Sequence, residues 1–568
     1  MRRTLIGVLV AVVVGVLTAP ASAGTSSAQS ATREFLVLYK AGVSLAAARA
    51  AVKAAGGTIV RENTAVGLAT VRASAANFRR AAARQDAIAG IASNRPIGVA
   101  PKDGVKVKQH AVETEGRGAG GTAAQLDSAA APTAEPLAGR QWDMAQIDAT
   151  ATGSYAVQTG DRRVRVGIMD TGIDGNHPDI APNFSNILSR NFTVDIPVDA
   201  NGVEIDGPCN KEDDRSCTDP ANVDDNGHGT HVASIIGSPI NGLGVAGVAP
   251  NVTLVNIRAG QDSGFFFLQP TVDALTYAGD VGLDVVNMSF YTDPWLFNCT
   301  ANPADSPADQ DEQRTIIEAT QRALRYAWNH NVTLIAAAGN EAIDYTKPSV
   351  DETSPDFADV PGEAPYSRNI DPADCISLPA QGDHVIAVSS TGISTRKAYY
   401  SSYGYGYVDV SAPGGDVYDT PTNTRDVTRA VLAAAPEAVL RAEKLITSSG
   451  KPKSSSVVRD CHNGVCAFYQ YLQGTSMASP HAVGVAALIV SQMGSSLNGG
   501  FGLSPDVTEK VLRSTATPHA CPEPRAYTYT RHLPTGETVT STQVCEGPAE
   551  NNGFYGNGIV NALRAVTA

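Results

Sequence analysis

The sequence predicts an α/β protein: a doubly wound, mainly parallel sheet preceded by a small α+β domain of the split βαβ type. Three observations carry this reading. Continuous apolar runs recur at residues 164–169, 252–257, 285–288, 332–338 and 385–388, the pattern of parallel strands buried on both faces. Helical stretches lie between and after them at residues 231–236, 271–278, 314–328 and 479–493, and alternating strands and helices wind a sheet on both sides. Residues 33–101 follow a different order, with their own turn signals and charge.

Taken in order, residues 1–23 read as a secretory signal. Arg2 and Arg3 open it, residues 5–17 are apolar, and Ala21-Ser22-Ala23 is a small-residue cleavage site. That apolar run is shorter than the roughly 20 residues a bilayer span needs, so no stable membrane anchor is expected. The protein is expected to be secreted into an extracellular setting where disulfides persist. Next come a strand at residues 35–39, a helix capped by Ser44 and ended by Gly56-Gly57, strands at 58–61 and 67–71, a helix at 74–84 and a closing strand at 97–100. Residues 102–140 are rich in Ala, Gly, Thr, Glu and Lys without apolar periodicity and read as a flexible linker. The α/β pattern then fills residues 141–568, with no further domain expected after it.

Composition bounds the function. Of 568 residues, 43% are hydrophobic and 18% charged, which permits a large core and excludes wholesale disorder. The net charge of −14 argues against nucleic acid as a partner, because phosphate contacts need clustered Lys and Arg. Charge is divided unevenly, +7 over residues 24–100 and −23 from Pro101 onward. Gly242, Gly244 and Gly247 match a dinucleotide motif by spacing, but they follow a helix and open a strand, the reverse of what that motif requires.

Four segments carry chemistry. Asp170 ends a buried strand, His228 in Asn226-Gly227-His228-Gly229-Thr230-His231 starts a helix, Asn340 follows Ala338-Gly339 after another buried strand, and Ser476 in Gly474-Thr475-Ser476-Met477-Ala478-Ser479-Pro480-His481 begins a long apolar helix. A serine hydroxyl becomes nucleophilic when an imidazole takes its proton. A carboxylate fixes the imidazole's tautomer. An amide and a backbone N–H can hold the oxyanion. Read one at a time, the segments permit other roles: Asp170 as a turn residue, Ser476 as an N-cap, and His228 with His231 and Asp170 as zinc ligands. All four together favour acyl transfer.

Over about residues 141–568 these segments resemble the subtilases, the subtilisin-like serine peptidases, in which the order is also Asp, His, Ser. The resemblance implies that Asp170 orients the base, His228 is the general base, Ser476 the nucleophile and Asn340 the oxyanion donor, with His177, His231 and His481 structural. It implies a substrate groove from residues 261–265, including Ser263 and Gly264, and from Ser289, Phe290 and Tyr291, which with Ala338 and Gly339 wall the primary pocket. Tyr291 stands where the family commonly has glycine, and either narrows the pocket or swings away. Phe265-Phe266-Phe267 fills the core or lines an outer apolar pocket. The acidic pair Asp224-Asp225 reads as a solvated loop, with a kexin-like preference for basic substrates as the alternative. Residues 33–101 look like the family's propeptide, an intramolecular inhibitor usually removed by the enzyme itself. Structural calcium is implied at residues 240–245, with Asn241 and Asp179 as ligands, against an ordinary turn; no cofactor is needed for the chemistry.

Loop insertions at about residues 293–312, 343–377 and 417–471 are expected to rim the cleft. Cys209 with Cys217, Cys461 with Cys466 and Cys521 with Cys545 are near neighbours in sequence, and elimination pairs Cys299 with Cys375. Three functions compete: a secreted, self-processed, monomeric serine endopeptidase acting on proteins or peptides; a narrow maturation protease; and an inactive fold serving as a binding module.

Overall fold

A computed structural model describes residues 32–75, 77–94, 112–115, 133–211, 215–462, 464–497 and 500–568. The signal reading of residues 1–23 and most of the linker lie outside the described residues. The small domain comprises β1 (Thr32–Tyr39), α1 (Leu45–Ala54), β2 (Thr58–Asn63), β3 (Leu68–Ser74), α2 (Phe78–Ala82) and β4 (Ile88–Ser93). Its antiparallel sheet runs β2-β3-β1-β4. Ser44 caps α1 by accepting from the Ala47 N–H, satisfying a donor the helix cannot.

The fourth strand of this sheet is Ile88–Ser93 and α2 is shorter than expected, while the closing strand expected at residues 97–100 lies outside the described residues. Strand alternation explains the position. Ile91 faces Phe35, Val52 and Phe78 inside the domain, while neighbouring Ala92 joins Leu36, Leu38 and Leu68 on the opposite face. That second face packs on two helices of the large domain, α5 and α6 below, through Leu268, Val272, Ile316 and Ala319. At its edge Arg61 pairs with Asp273, and Arg322 donates to the Tyr39 and Val66 carbonyls at 2.8 and 3.1 Å.

The large domain begins with α3 (Trp142–Gln146), β5 (Arg165–Met169), β6 (Arg190–Asn191), α4 (His228–Gly237), β7 (Thr253–Arg258), α5 (Leu268–Asp280) and β8 (Val285–Met288). It continues with a ribbon strand β9 (Asn298–Cys299), α6 (Pro307–Asn329), β10 (Thr333–Ala337), ribbon strands β11 (Ser349–Asp351), β12 (Arg368–Ile370) and β13 (Cys375–Ile376), β14 (Val385–Thr391) and β15 (Val410–Pro413). Seven strands form one sheet in the order β15-β14-β10-β8-β5-β7-β6, and each pairing within it is parallel. This is the doubly wound architecture. The five apolar runs became strands; β6 and β15 were too short for periodicity to show.

Each insertion has its own structure. The first ends inside α6, which starts at Pro307 because Ser306 and Asp309 form a reciprocal capping box. The first and second are tied by the Cys299–Cys375 disulfide and by buried Arg368, which donates to Asp305 at 2.8 Å, Asp351 at 3.1 Å and Gln313 at 2.7 Å. The third is more than a loop. It carries β16 (Val431–Ala434), α7 (Glu437–Ala442), β17 (Val457–His462) and β18 (Val465–Leu472), an antiparallel sheet whose Ala467, Tyr469 and Tyr471 join the main core. The remaining cysteines pair as Cys209–Cys217, Cys461–Cys466 and Cys521–Cys545. The last long helix is α8 (Thr475–Met493). Among the described residues no helix is long and apolar enough to cross a membrane.

Candidate active site

Asp170 is the first residue after β5, at the carboxyl end of the sheet, where α/β folds place their sites. Its Oδ1 accepts from the Thr171 N–H at 2.8 Å and lies 2.7 Å from His228 Nδ1. His228 opens α4, and the helix reaches Asp170 because the next residue is glycine: a Cβ at Gly229 would stand 2.1 Å from the Gly172 carbonyl oxygen. Asp224, expected in a solvated loop, is instead buried. It accepts from Thr171 Oγ1 at 3.0 Å and from the N–H groups of Gly227 and Thr230 at 2.9 Å each. It therefore braces both the Asp170 turn and the start of α4, where unpaired N–H groups favour a carboxylate. Asp225 is exposed.

Ser476 lies in the first turn of α8, after Gly474 at φ +153°. Ser289 Oγ donates to its carbonyl at 3.1 Å. Asn340, just past β10, accepts through Oδ1 from Thr475 N and Oγ1, both at 2.9 Å. This fixes the amide with its donor end toward the cleft that Asn340 and Ser476 share. An oxyanion formed at Ser476 would meet that donor and the positive end of the α8 dipole.

The site holds a residue that the sequence reading passed over. Glu113 Oε1 accepts from Ser476 Oγ at 2.6 Å and stands 3.5 Å from His228 Nε2. It belongs to Val112-Glu113-Thr114-Glu115, four residues of the expected linker that cross the cleft. Gln473 fixes them, its N–H donating to the Glu113 carbonyl at 3.2 Å and its Nε2 to the Val112 carbonyl at 3.1 Å. In sequence only two acidic residues two apart mark this segment. Burial pulls the His228 pKa down, but the Asp170 and Glu113 carboxylates outweigh it and hold the imidazole well above its usual value.

A cavity of about 420 Å³ adjoins Ser476. Gly264, Ser289, Phe290, Tyr291 and Gly339 line it, as expected. Ala338 and Ser263 do not: Ala338 is fully buried and Ala337 takes its place, while the Ser263 N–H is turned to Asp206 at 2.8 Å. Tyr291 stays in the lining, its hydroxyl donating to Asp356 at 2.7 Å. Asp293 and Leu296 of the first insertion and Thr353 and Asp356 of the second complete the rim. Phe266 stacks on Phe290 with centroids 4.0 Å apart and joins the lining, whereas Phe265 and Phe267 pack on Phe357.

His177, His231 and His481, expected to be structural, serve packing. His231 Nε2 donates to the Gln470 carbonyl and His177 Nε2 to the Phe468 carbonyl, each at 3.0 Å. Burial lowers their pKa values to about 3 and about 4, so both rings are neutral. His481 lies between the Met477 carbonyl at 2.7 Å and Asp143 at 3.1 Å. His231 thus turns to β18, away from a zinc set with His228. Among the described residues the acidic cluster close enough to share an ion is Asp195, Asp219 and Asp262. Arg258 is already paired with all three.

The expected calcium site lies at the loop of residues 240–245 and Asp179. Asp179 accepts from Asn241 Nδ2, the Val245 N–H and the Tyr469 hydroxyl, all at 3.1 Å. The Gly242 N–H points to Glu135 at 3.1 Å. Calcium needs several converging oxygens, and here hydrogen-bond donors converge on the carboxylate instead. This arrangement does not fit the ion.

A buried Asp–His pair, a hydroxyl at a helix start and an amide donor beside one cleft are the parts of a serine peptidase site. A profile of the subtilase family matches residues 161–558, and the chain belongs to that family. A thermophilic serine proteinase of Bacillus sp. (strain AK1) is 28% identical over 340 residues, covering 60% of this chain and 55% of that protein. The chain therefore spans little more than half the length of that relative. Thermitase of Thermoactinomyces vulgaris is 27% identical over 361 residues, 63% of this chain and 85% of thermitase. The crystal structure of the epidermin leader peptide processing serine protease from Staphylococcus aureus has the same fold: TM-score 0.58 at 20% identity, covering 95% of this chain and 99% of that one.

Proposed function

We propose that this protein is a secreted serine endopeptidase made as a precursor that processes itself. His228 takes the Ser476 proton as Oγ attacks a peptide carbonyl, and Asp170 holds the ring and stabilises its cationic form. Asn340 and the Ser476 N–H receive the oxyanion. His228 then protonates the leaving amine, and water, activated by the same ring, releases the acyl group. The observation that carries precursor processing is Glu113. A segment joining the small domain to the catalytic domain crosses the nucleophile itself. The signal pattern of residues 1–23 and four disulfides support secretion.

The insertions favour a narrow, maturation-type specificity over broad digestion, because two cross-linked loops overhang the cavity. Ser476→Ala is expected to accumulate precursor that retains residues 35–100; removing a subtilisin nucleophile costs on the order of a million-fold in the general case. Processing of the purified Ala variant at the wild-type rate would overturn self-cleavage. A fluorophosphonate probe that fails to label Ser476 would favour the binding-module reading, and the spread of cuts in a mixed peptide library measures how narrow the specificity is.

A further inference from the structure

Past Ser476 the docked segment makes a second contact that the acyl-transfer steps do not use. Val112 and Glu113 border the cavity, Glu115 is not among the residues that line it, and Glu113 faces the nucleophile. Two residues on, the Glu115 carboxylate enters a pocket of donors. Tyr418 OH donates to Oε1 at 3.0 Å, Tyr399 OH donates to Oε2, Gln473 Nε2 lies 3.4 Å from Oε2, and Arg531 Nη1 lies 3.5 Å from Oε1. Arg425 Nη1 holds the Glu115 carbonyl at 2.9 Å.

The pocket is built by distant parts of the chain. The Arg531 guanidinium lies 3.9 Å from the Tyr399 ring centroid and 5.5 Å from that of Tyr418. Gln543 Nε2 donates to the Tyr399 carbonyl at 2.6 Å and anchors it from the other side. Burial and the Glu115 charge both raise the Tyr399 pKa, so the phenol keeps its proton and remains a donor. Two hydroxyls, an amide N–H and a guanidinium around one point suit a carboxylate and disfavour a cation. The endopeptidase reading puts the acyl side of a substrate in the cavity beside Ser289 and Phe290, and a chain that runs on past Ser476 as residues 112–115 do reaches this pocket next.

We infer that Tyr399, Tyr418, Gln473 and Arg531 form a carboxylate subsite that takes an acidic side chain of the substrate downstream of the cut bond, with Glu115 as its occupant before processing. The inference rests on the endopeptidase reading. It makes the enzyme's preference depend on the residue that follows the cut as well as on the one that precedes it.

The test uses the full-length chain after it has matured. Peptide pairs differ only by Glu or Gln at the second, third or fourth position after the cut bond, and the readout is the Glu:Gln ratio of kcat/KM. That ratio does not depend on the active fraction, so a variant that folds in low yield still reports. Charge-assisted hydrogen bonds lead to an expected ratio of about ten at one of these positions. Arg531→Gln should bring it near one, Tyr418→Phe should lower it in part, and Arg531→Glu should drive it below one. A wild-type ratio near one at all three positions, or a ratio unmoved by both Arg531→Gln and Tyr418→Phe, would overturn the subsite. A matured chain that cuts no peptide would instead overturn the endopeptidase reading, and the subsite with it.

Discussion

Glu113 lies between the two groups proposed to exchange a proton: its Oε1 is 2.6 Å from Ser476 Oγ and 3.5 Å from His228 Nε2. While it stays there the hydroxyl donates to a carboxylate rather than to the base, and the imidazole carries a second negative neighbour.

Glu113→Gln should therefore change the pH dependence of self-processing. Below its raised pKa His228 is an imidazolium and cannot accept the serine proton, so processing should quicken as pH rises through that value. Removing one of the two carboxylates lowers the pKa, and the acid limb should move to lower pH. Initial rates of precursor loss across a pH series check this. An unmoved or alkaline-shifted limb would mean that Glu113 does not set the charge of the base.

Asn340→Ala should lower kcat by about a hundred- to a thousand-fold with little change in KM, the signature of a donor used mainly in the transition state. Steady-state kinetics on one good peptide are sufficient. A rise in KM at constant kcat would make Asn340 a substrate-binding residue instead.

Arg258→Met removes the cation among Asp195, Asp219 and Asp262 and should cost about 3–5 kcal/mol, as for other buried charges left without a partner. Burial already raises the Asp195 and Asp262 pKa values to about 9 and about 8. A carboxyl with a raised folded pKa favours folding most below its unfolded value, about 4, and loses that contribution as pH climbs toward the folded value. The variant should thus fare worst at alkaline pH. Urea midpoints at acid and alkaline pH report the difference; a loss that does not vary with pH would show that the carboxylates find other partners.

Chelation should leave the melting temperature unchanged, because donors occupy the surroundings of Asp179. Tyr469→Phe should lower stability by about 1–3 kcal/mol, by leaving the carboxylate short of a donor in a buried place. A large drop in Tm with chelator that calcium reverses would contradict this description of the loop.

What the sequence revealed follows from the range of each signal. Asp170, His228, Asn340 and Ser476 were legible because each sits in a local motif next to an apolar run. Ser44 was legible because a cap acts within three residues. Glu113 was not, since its partners are 115 and 363 residues away and nothing nearby distinguishes it from linker. Asp224 misled for the same reason: a carboxylate beside another acid looks solvated until Thr171 and Thr230 are brought over it. The strand Ile88–Ser93 was not foreseen because periodicity alone did not show that this short apolar run would pair with β1.

The strand β18 joins matters that sequence keeps apart. Its Phe468 and Gln470 carbonyls hold the rings of His177 and His231, the latter on the helix that His228 begins, and a few residues later the same strand runs into Ser476. The base is therefore seated only after a strand 239 residues beyond its own helix has joined the fold. A chain truncated before this strand carries the histidine without its support.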